Sequence, residues 1–171
     1  MKIVLVGYMG SGKSTIGKLL AKQLSTSFID LDTYIETQTG NTISELFASK
    51  GEIYFRKQEH LALKSILENE DHFVIATGGG TPCYSNNMDL ILTHTSKVFY
   101  LRVSIGELVK RLGKEKKDRP LIAKIADEDL PEFFGKHLFE RSQFYNKATY
   151  TIACDTAAPA ALVAEISEKL V

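Results

Sequence analysis

Residues 7–14 read Gly7-Tyr8-Met9-Gly10-Ser11-Gly12-Lys13-Ser14 and directly follow the apolar run Ile3–Val6. A strand, a glycine-rich turn and a Lys-Ser pair opening a helix form a phosphate-binding loop. The glycines let the backbone take positive φ and bring N–H groups within reach of phosphate oxygens. The helix that starts there adds its positive dipole end. Lys13 supplies a point charge for the β- and γ-phosphates, and the Ser14 hydroxyl is a hard oxygen ligand for Mg²⁺. Gly10, Ser11, Gly12, Lys13, Ser14 and Thr15 are therefore candidate nucleotide-binding residues. The implied ligand is a nucleoside triphosphate.

A second cluster follows the next apolar run. Phe28-Ile29 leads into Asp30-Leu31-Asp32, and on an extended segment both carboxylates would face one way. Asp30, at the strand's end, suits Mg²⁺ directly or through its water. Asp32 suits a substrate hydroxyl, as orienter and proton acceptor; the competing role is to cap a helix beginning at Thr33. In Gly51-Glu52-Ile53-Tyr54-Phe55-Arg56-Lys57-Gln58-Glu59, Arg56 and Glu59 share a helix face at i,i+3, with Phe55 anchoring the turn. One reading is a surface ion pair worth well under ~1 kcal/mol. The other has Glu59 fixing the Arg56 guanidinium for bidentate grip of a carboxylate ligand.

Gly78, Gly79 and Gly80 follow a third apolar run. They form either a flexible turn or a bare backbone edge against which a small polyol can lie. The polar, lysine-rich segment 113–120 ends in Asp118-Arg119-Pro120. It is expected not to pack, and has the build of a lid that swings Arg119 onto a γ-phosphate. Arg111 is placed beside the nucleotide base. Arg141, in Arg141-Ser142-Gln143-Phe144-Tyr145, is a second candidate for a substrate carboxylate.

Five short apolar runs must position these groups: Ile3–Val6, Phe28–Leu31, Phe73–Ala76, Val98–Leu101 and Tyr150–Ala153. They alternate with helical periodicity over Lys13–Leu24, Ile43–Lys50, Ile53–Glu70, Ser104–Leu112, part of Ile122–Tyr145, and Ala160–Leu170. Ser104 and Glu107 predict a capping box. Near-continuous apolar strands between helices argue for a parallel sheet covered on both faces. Its ligand crevice lies at the carboxyl ends of the strands, where the candidate residues cluster. The chain of 171 residues is expected to form one three-layer α/β domain.

Composition narrows the function classes. Lys+Arg and Asp+Glu both number 21, so no basic excess points to nucleic acid. Cys83 and Cys154 have no metal-ligand spacing, which suits a reducing cytoplasm. His60, His72, His94 and His137 are scattered and receive no role. No run of 18 or more apolar residues suggests a membrane span, and the first strand leaves no room for a signal peptide.

Together these segments resemble the shikimate kinase family over essentially the whole chain. The pattern is a phosphate-binding loop (Gly7–Ser14), D-x-D (Asp30, Asp32), GExxFRxxE (Gly51–Glu59), GGG (Gly78–Gly80), an R-P lid (Arg119-Pro120) and a distal arginine before x-x-x-Tyr (Arg141, Tyr145). The resemblance implies ATP- and Mg²⁺-dependent phosphorylation of the 3-hydroxyl of shikimate by a monomeric cytoplasmic enzyme. It also implies a nucleoside-monophosphate-kinase-like P-loop fold with five parallel strands in order 2-3-1-4-5. Its substrate-binding subdomain would cover about residues 32–60 and its lid about 112–124. Carried over by position, Asp32, Arg56, Gly78, Gly79, Gly80 and Arg141 hold shikimate. Lys13, Asp32 and Arg119 are catalytic, Ser14 and Asp30 serve the metal, and Arg111, Arg119 and Pro159 join the nucleotide site. No proline lies between Arg141 and Tyr145, and Ala157-Ala158 stand where some relatives carry an arginine near the base. The alternatives are another small-molecule kinase of this fold, such as a gluconate kinase, and a non-catalytic nucleotide-binding protein.

Overall fold

The computed structural model describes residues 1–171. Its strands are β1 (Lys2–Val6), β2 (Ser27–Asp30), β3 (Phe73–Ala76), β4 (Val98–Arg102) and β5 (Tyr150–Ala153). All pair in parallel, in the order β2-β3-β1-β4-β5. Ile3 to Val6 are wholly buried, as expected of a central strand covered on both faces. Of the edge strands, β2 is half-buried along most of its length, and β5 is exposed at Thr151 and Ala153 and buried only at Ile152. The expected order holds, and the strand positions hold to within one residue: β1 starts one earlier, β2 starts and ends one earlier, and β4 ends one later.

The helices are α1 (Lys13–Gln23), α2 (Leu31–Thr39), α3 (Ile43–Asn69), α4 (Asn87–His94), α5 (Ile105–Lys114), α6 (Leu130–Tyr145) and α7 (Pro159–Glu168). α1 lies tightly on the sheet at Gly17, where a Cβ would come within 2.4 Å of the Phe28 ring. The two helical segments expected around 43–70 form one element broken at Gly51, whose φ of 82° no helix accepts. That kink turns the Arg56 segment toward the strand ends. Its start carries a true capping box: Glu45 N–H donates to Thr42 Oγ1, and Thr42 N–H to Glu45 Oε2. The box expected at Ser104 is only half made. Ser104 accepts from Glu107 N–H, but its own N–H donates to Asp155 and the Glu107 carboxylate takes Arg111 instead. The helix weighed from Thr33 is α2 and begins two residues earlier, at Leu31; α4 was not expected, being only eight residues long.

Between α5 and α6 the chain runs through two 3₁₀ turns, Lys116–Asp118 and Asp127–Asp129. Leu112 and Ile122 are fully buried and pin this segment at both ends. The side chains of residues 113–121 between them are exposed or half-buried. The carboxyl ends of β1, β2 and β3 thus converge beneath a segment anchored at both ends.

Candidate active site

The phosphate-binding loop has the backbone its glycines allow, with φ of 79° at Gly10 and 91° at Gly12. A Cβ at Gly10 would lie 2.9 Å from Leu112 Cδ2, so α5 closes directly on the loop. Lys13 is buried, and its ammonium donates to the carbonyls of Gly7 (2.7 Å) and Tyr8 (2.9 Å). Burial depresses its pKa to about 8, against the opposing pull of Asp32 and Asp30. A charge held by two carbonyls and poorly hydrated is primed to exchange them for phosphate oxygens.

Asp30 ends β2 and caps α2: its Oδ1 accepts from Thr33 N–H at 3.2 Å. Its Oδ2 accepts from the Ser14 hydroxyl at 2.7 Å. The capping role considered for Asp32 therefore belongs to Asp30. The helix begins at Leu31, so Asp32 sits in its first turn instead of on extended chain. Its carboxylate faces Gly78, with Oδ1 3.1 Å from where a Cβ there would stand. Burial foremost, with Asp30 and Glu59 nearby, raises its pKa to about 6.

A cavity of about 350 Å³ brings together Lys13, Ser14, Thr15, Asp30, Asp32, Gly78, Gly79, Glu115 and Arg119. Its lining also includes Gly10 and Gly12. The phosphate loop thus forms one wall and the glycine edge after β3 the other.

Arg56 and Arg141 lie beyond that lining, one against each of two glycines. A Cβ at Gly80 would fall 2.7 Å from Arg56 Nη2, and one at Gly79 would fall 3.3 Å from Arg141 Nη1. Side chains are missing here because guanidinium groups occupy the space. Arg56 Nη1 donates to Glu59 Oε1 at 2.8 Å, and its guanidinium lies 4.0 Å from the Tyr84 ring centroid. Glu59 is only 1% exposed, so the pair is not a surface one and Glu59 holds the Arg56 guanidinium in place. Arg141 pairs with no carboxylate. It stands over the Tyr8 ring at 5.8 Å, which leaves its charge free for an anionic ligand. Tyr145, at the end of the same helix, donates its hydroxyl to the Gly79 carbonyl and fixes the glycine edge.

Arg111 is more committed than a residue beside the base would need to be. It donates to Glu107 Oε1 (2.8 Å), Gly10 O (3.2 Å) and Cys154 O (2.5 Å), tying α5 to the phosphate loop and to the end of β5. It lines a neighbouring cavity of about 320 Å³ that shares Gly10 and Glu115 with the first. Pro159 is the exposed first residue of α7, outside both linings. Arg119 reaches the phosphate cavity paired to Glu115 Oε2, at 2.9 Å from Nε and 2.6 Å from Nη2. Glu115 was missed, although its i,i+4 spacing from Arg119 was there to read. Two of the histidines, given no role from sequence, make contacts across the fold. His137 contacts the Tyr8 hydroxyl at 2.7 Å, and His60 contacts the buried Asn87 at 2.7 Å. Nothing local in the sequence announces either contact, because the partners lie 129 and 27 residues away.

A family model described as shikimate kinase matches residues 9–171. A shikimate kinase of Flavobacterium psychrophilum is 43% identical over 169 residues, covering 99% of this chain and 98% of the relative. Among solved structures, shikimate kinase from Bacteroides thetaiotaomicron superposes with a TM-score of 0.91 at 35% identity, covering 99% of this chain and 98% of that one. Shikimate kinase from Acinetobacter baumannii in complex with shikimate does so with a TM-score of 0.88 at 32% identity, covering 99% and 92%.

Proposed function

The chain belongs to the shikimate kinase family, and from that premise and the site geometry we infer that it transfers the γ-phosphoryl group of ATP to the 3-hydroxyl of shikimate. The products are shikimate 3-phosphate and ADP. The observation that carries this reading is the single cavity in which Lys13 and Ser14 face Asp32 and the Gly78-Gly79 edge. Triphosphate and acceptor alcohol meet there.

In the proposed mechanism the 3-hydroxyl oxygen bonds to the γ-phosphorus as the bond to the β,γ-bridging oxygen breaks, and ADP leaves with the electron pair. Such a transition state is loose, so positioning and charge matter more than proton removal. Asp32 orients the hydroxyl and accepts its proton once the new P–O bond has formed. Lys13 and Arg119 stabilise charge on the transferring group. Arg56, already matched to Glu59, offers its fork to the shikimate carboxylate, and the unpaired Arg141 adds the net positive charge. Gly79 and Gly80 keep the floor flat between them.

Mg²⁺ fits the donors present: the Ser14 hydroxyl and the Asp30 carboxylate are hard oxygens held within a hydrogen bond of each other. No group of three acidic, histidine or cysteine side chains that could hold a metal is present. Held by Ser14 and Asp30, the ion would supply positive charge against the phosphates. One chain supplies every group this reading needs, so the proposed working unit is a monomer, with about residues 32–60 as its acceptor-binding part and 112–124 as its lid. No helix is long and apolar enough to cross a membrane.

The test is ADP release from MgATP with shikimate, quinate, gluconate or no acceptor. Turnover only with shikimate, lost in Lys13→Ala, is expected. Turnover with gluconate would keep the nucleotide site and overturn the acceptor.

A further inference from the structure

Thr81, which directly follows the glycine edge, is wholly buried and held at its hydroxyl by α3 and at its carbonyl by the first residue of α4. Its hydroxyl donates to Glu59 Oε2 at 2.8 Å, while Glu59 Oε1 holds Arg56. Its carbonyl accepts from Asn87 Nδ2 at 2.9 Å. Because a carbonyl only accepts, the Asn87 amide has one orientation: Oδ1 faces His60 Nδ1 at 2.7 Å, and that ring nitrogen must carry the proton. Asn87 is 0% exposed and is reached through Ser85 and Asn86, with φ of 52° and 55°. Two successive non-glycine residues in the left-handed region are strained. The buried amide bonds offset that strain.

We propose that His60 and Asn87 are positioning residues for acceptor binding. They hold Thr81, and through it Glu59 and the Gly80 backbone, so that Arg56 keeps a fixed fork. Arg56, Glu59 and His60 all project from α3, so the helix closes a loop of bonds on residues 78–87. Apart from Arg56 Nε, which has no hydrogen-bond partner, the members of this network bond one another, and a buried network of this kind specifies one geometry while a broken one is costly. The proposal rests on the assignment of shikimate as acceptor.

The test compares His60→Leu, His60→Asn and Asn87→Leu with the unmodified protein, reading KM for shikimate, KM for ATP and kcat. Asparagine at 60 keeps a donor near the place of Nδ1. His60→Leu is expected to raise shikimate KM roughly five- to twentyfold, as loss of one hydrogen bond to a buried polar group would. ATP KM should stay within twofold and His60→Asn should restore most of the loss. Amide hydrogen exchange over residues 77–84 should quicken in His60→Leu and not in His60→Asn. Because His60 is only half-buried, His60→Leu keeps the question open to experiment even if Asn87→Leu fails to fold. Unchanged shikimate KM in His60→Leu, or an equal rise in ATP KM, would overturn the clamp and leave the assigned reaction standing. Absence of shikimate turnover in the unmodified protein would overturn the assignment itself.

Discussion

The Ser14 hydroxyl donates to Asp30 Oδ2 at 2.7 Å, across 16 residues of sequence. The first turn of α1 and the last residue of β2 thereby share one oxygen-rich point. Asp30 spends its other oxygen on the Thr33 N–H of α2. One carboxylate orients a helix and offers a hard ligand beside the phosphate loop.

Those two duties separate by mutation. Asn caps helices about as well as Asp, so Asp30→Asn should keep its thermal stability within about 1 kcal/mol. It loses the charge that attracts a divalent cation, so the Mg²⁺ concentration giving half-maximal rate at fixed ATP should rise by roughly tenfold. Excess chelator should abolish turnover in both proteins. A Mg²⁺ titration of initial rates decides it; superimposable curves would assign the metal to the phosphates alone.

Arg119 and Glu115 form a partly exposed pair, a kind worth well under ~1 kcal/mol. A γ-phosphate outcompetes such a partner easily. Arg119→Ala should lower kcat about 10²- to 10⁴-fold, in line with arginines that meet a transferring phosphate. Glu115→Gln should instead lower ATP KM about two- to fivefold, because the arginine is released in advance. A loss in Arg119→Ala confined to shikimate KM would move that residue to the acceptor side.

Much of this arrangement was legible in the chain. The phosphate loop, strand positions and glycine edge follow from local rules, glycine where φ is positive and apolar runs where strands are buried on both faces, whereas the strand order came from the family resemblance alone. The Arg56–Glu59 pair was legible as spacing, but its burial was not, since burial depends on Thr81 and Tyr84 arriving from a distant loop. Asp32 was legible as a carboxylate near a strand end, whereas its place inside a helix turn was hidden by the short, weakly patterned α2. His60, Asn87 and His137 were illegible because a polar contact made between elements leaves no period in the sequence.

The site's acidity sets its working range. Burial raises Asp32 to about 6 and depresses Lys13 to about 8. In the proposed mechanism, proton acceptance needs Asp32 ionised and phosphate stabilisation needs Lys13 charged. A profile of kcat/KM against pH should therefore fall on the acid side through about 6 and on the alkaline side through about 8. Asp32→Asn should erase the acid limb along with most of the rate. An acid limb that survives in this variant's residual activity would assign it to another group.

Asp32 also predicts a cost in stability. A carboxyl in the unfolded chain releases its proton near ~3.9, but in the folded protein Asp32 keeps it up to about 6. Between those values the folded state binds more protons, so stability falls as pH rises through the window and stays lower above it. Allowing for partial exposure, ionised Asp32 costs on the order of 1–2 kcal/mol at pH ~7.5. Asp32→Asn removes that charge with little change of shape, and should raise Tm there by about 2–6 °C. At pH ~4, where the native carboxyl is already neutral, the gain should vanish. Calorimetry at the two pH values checks the sign. A gain of equal size at both would mean that packing, and not the buried charge, is responsible. The expected result would make Asp32 a residue kept in its ionised form by the reaction, at the expense of the fold that holds it.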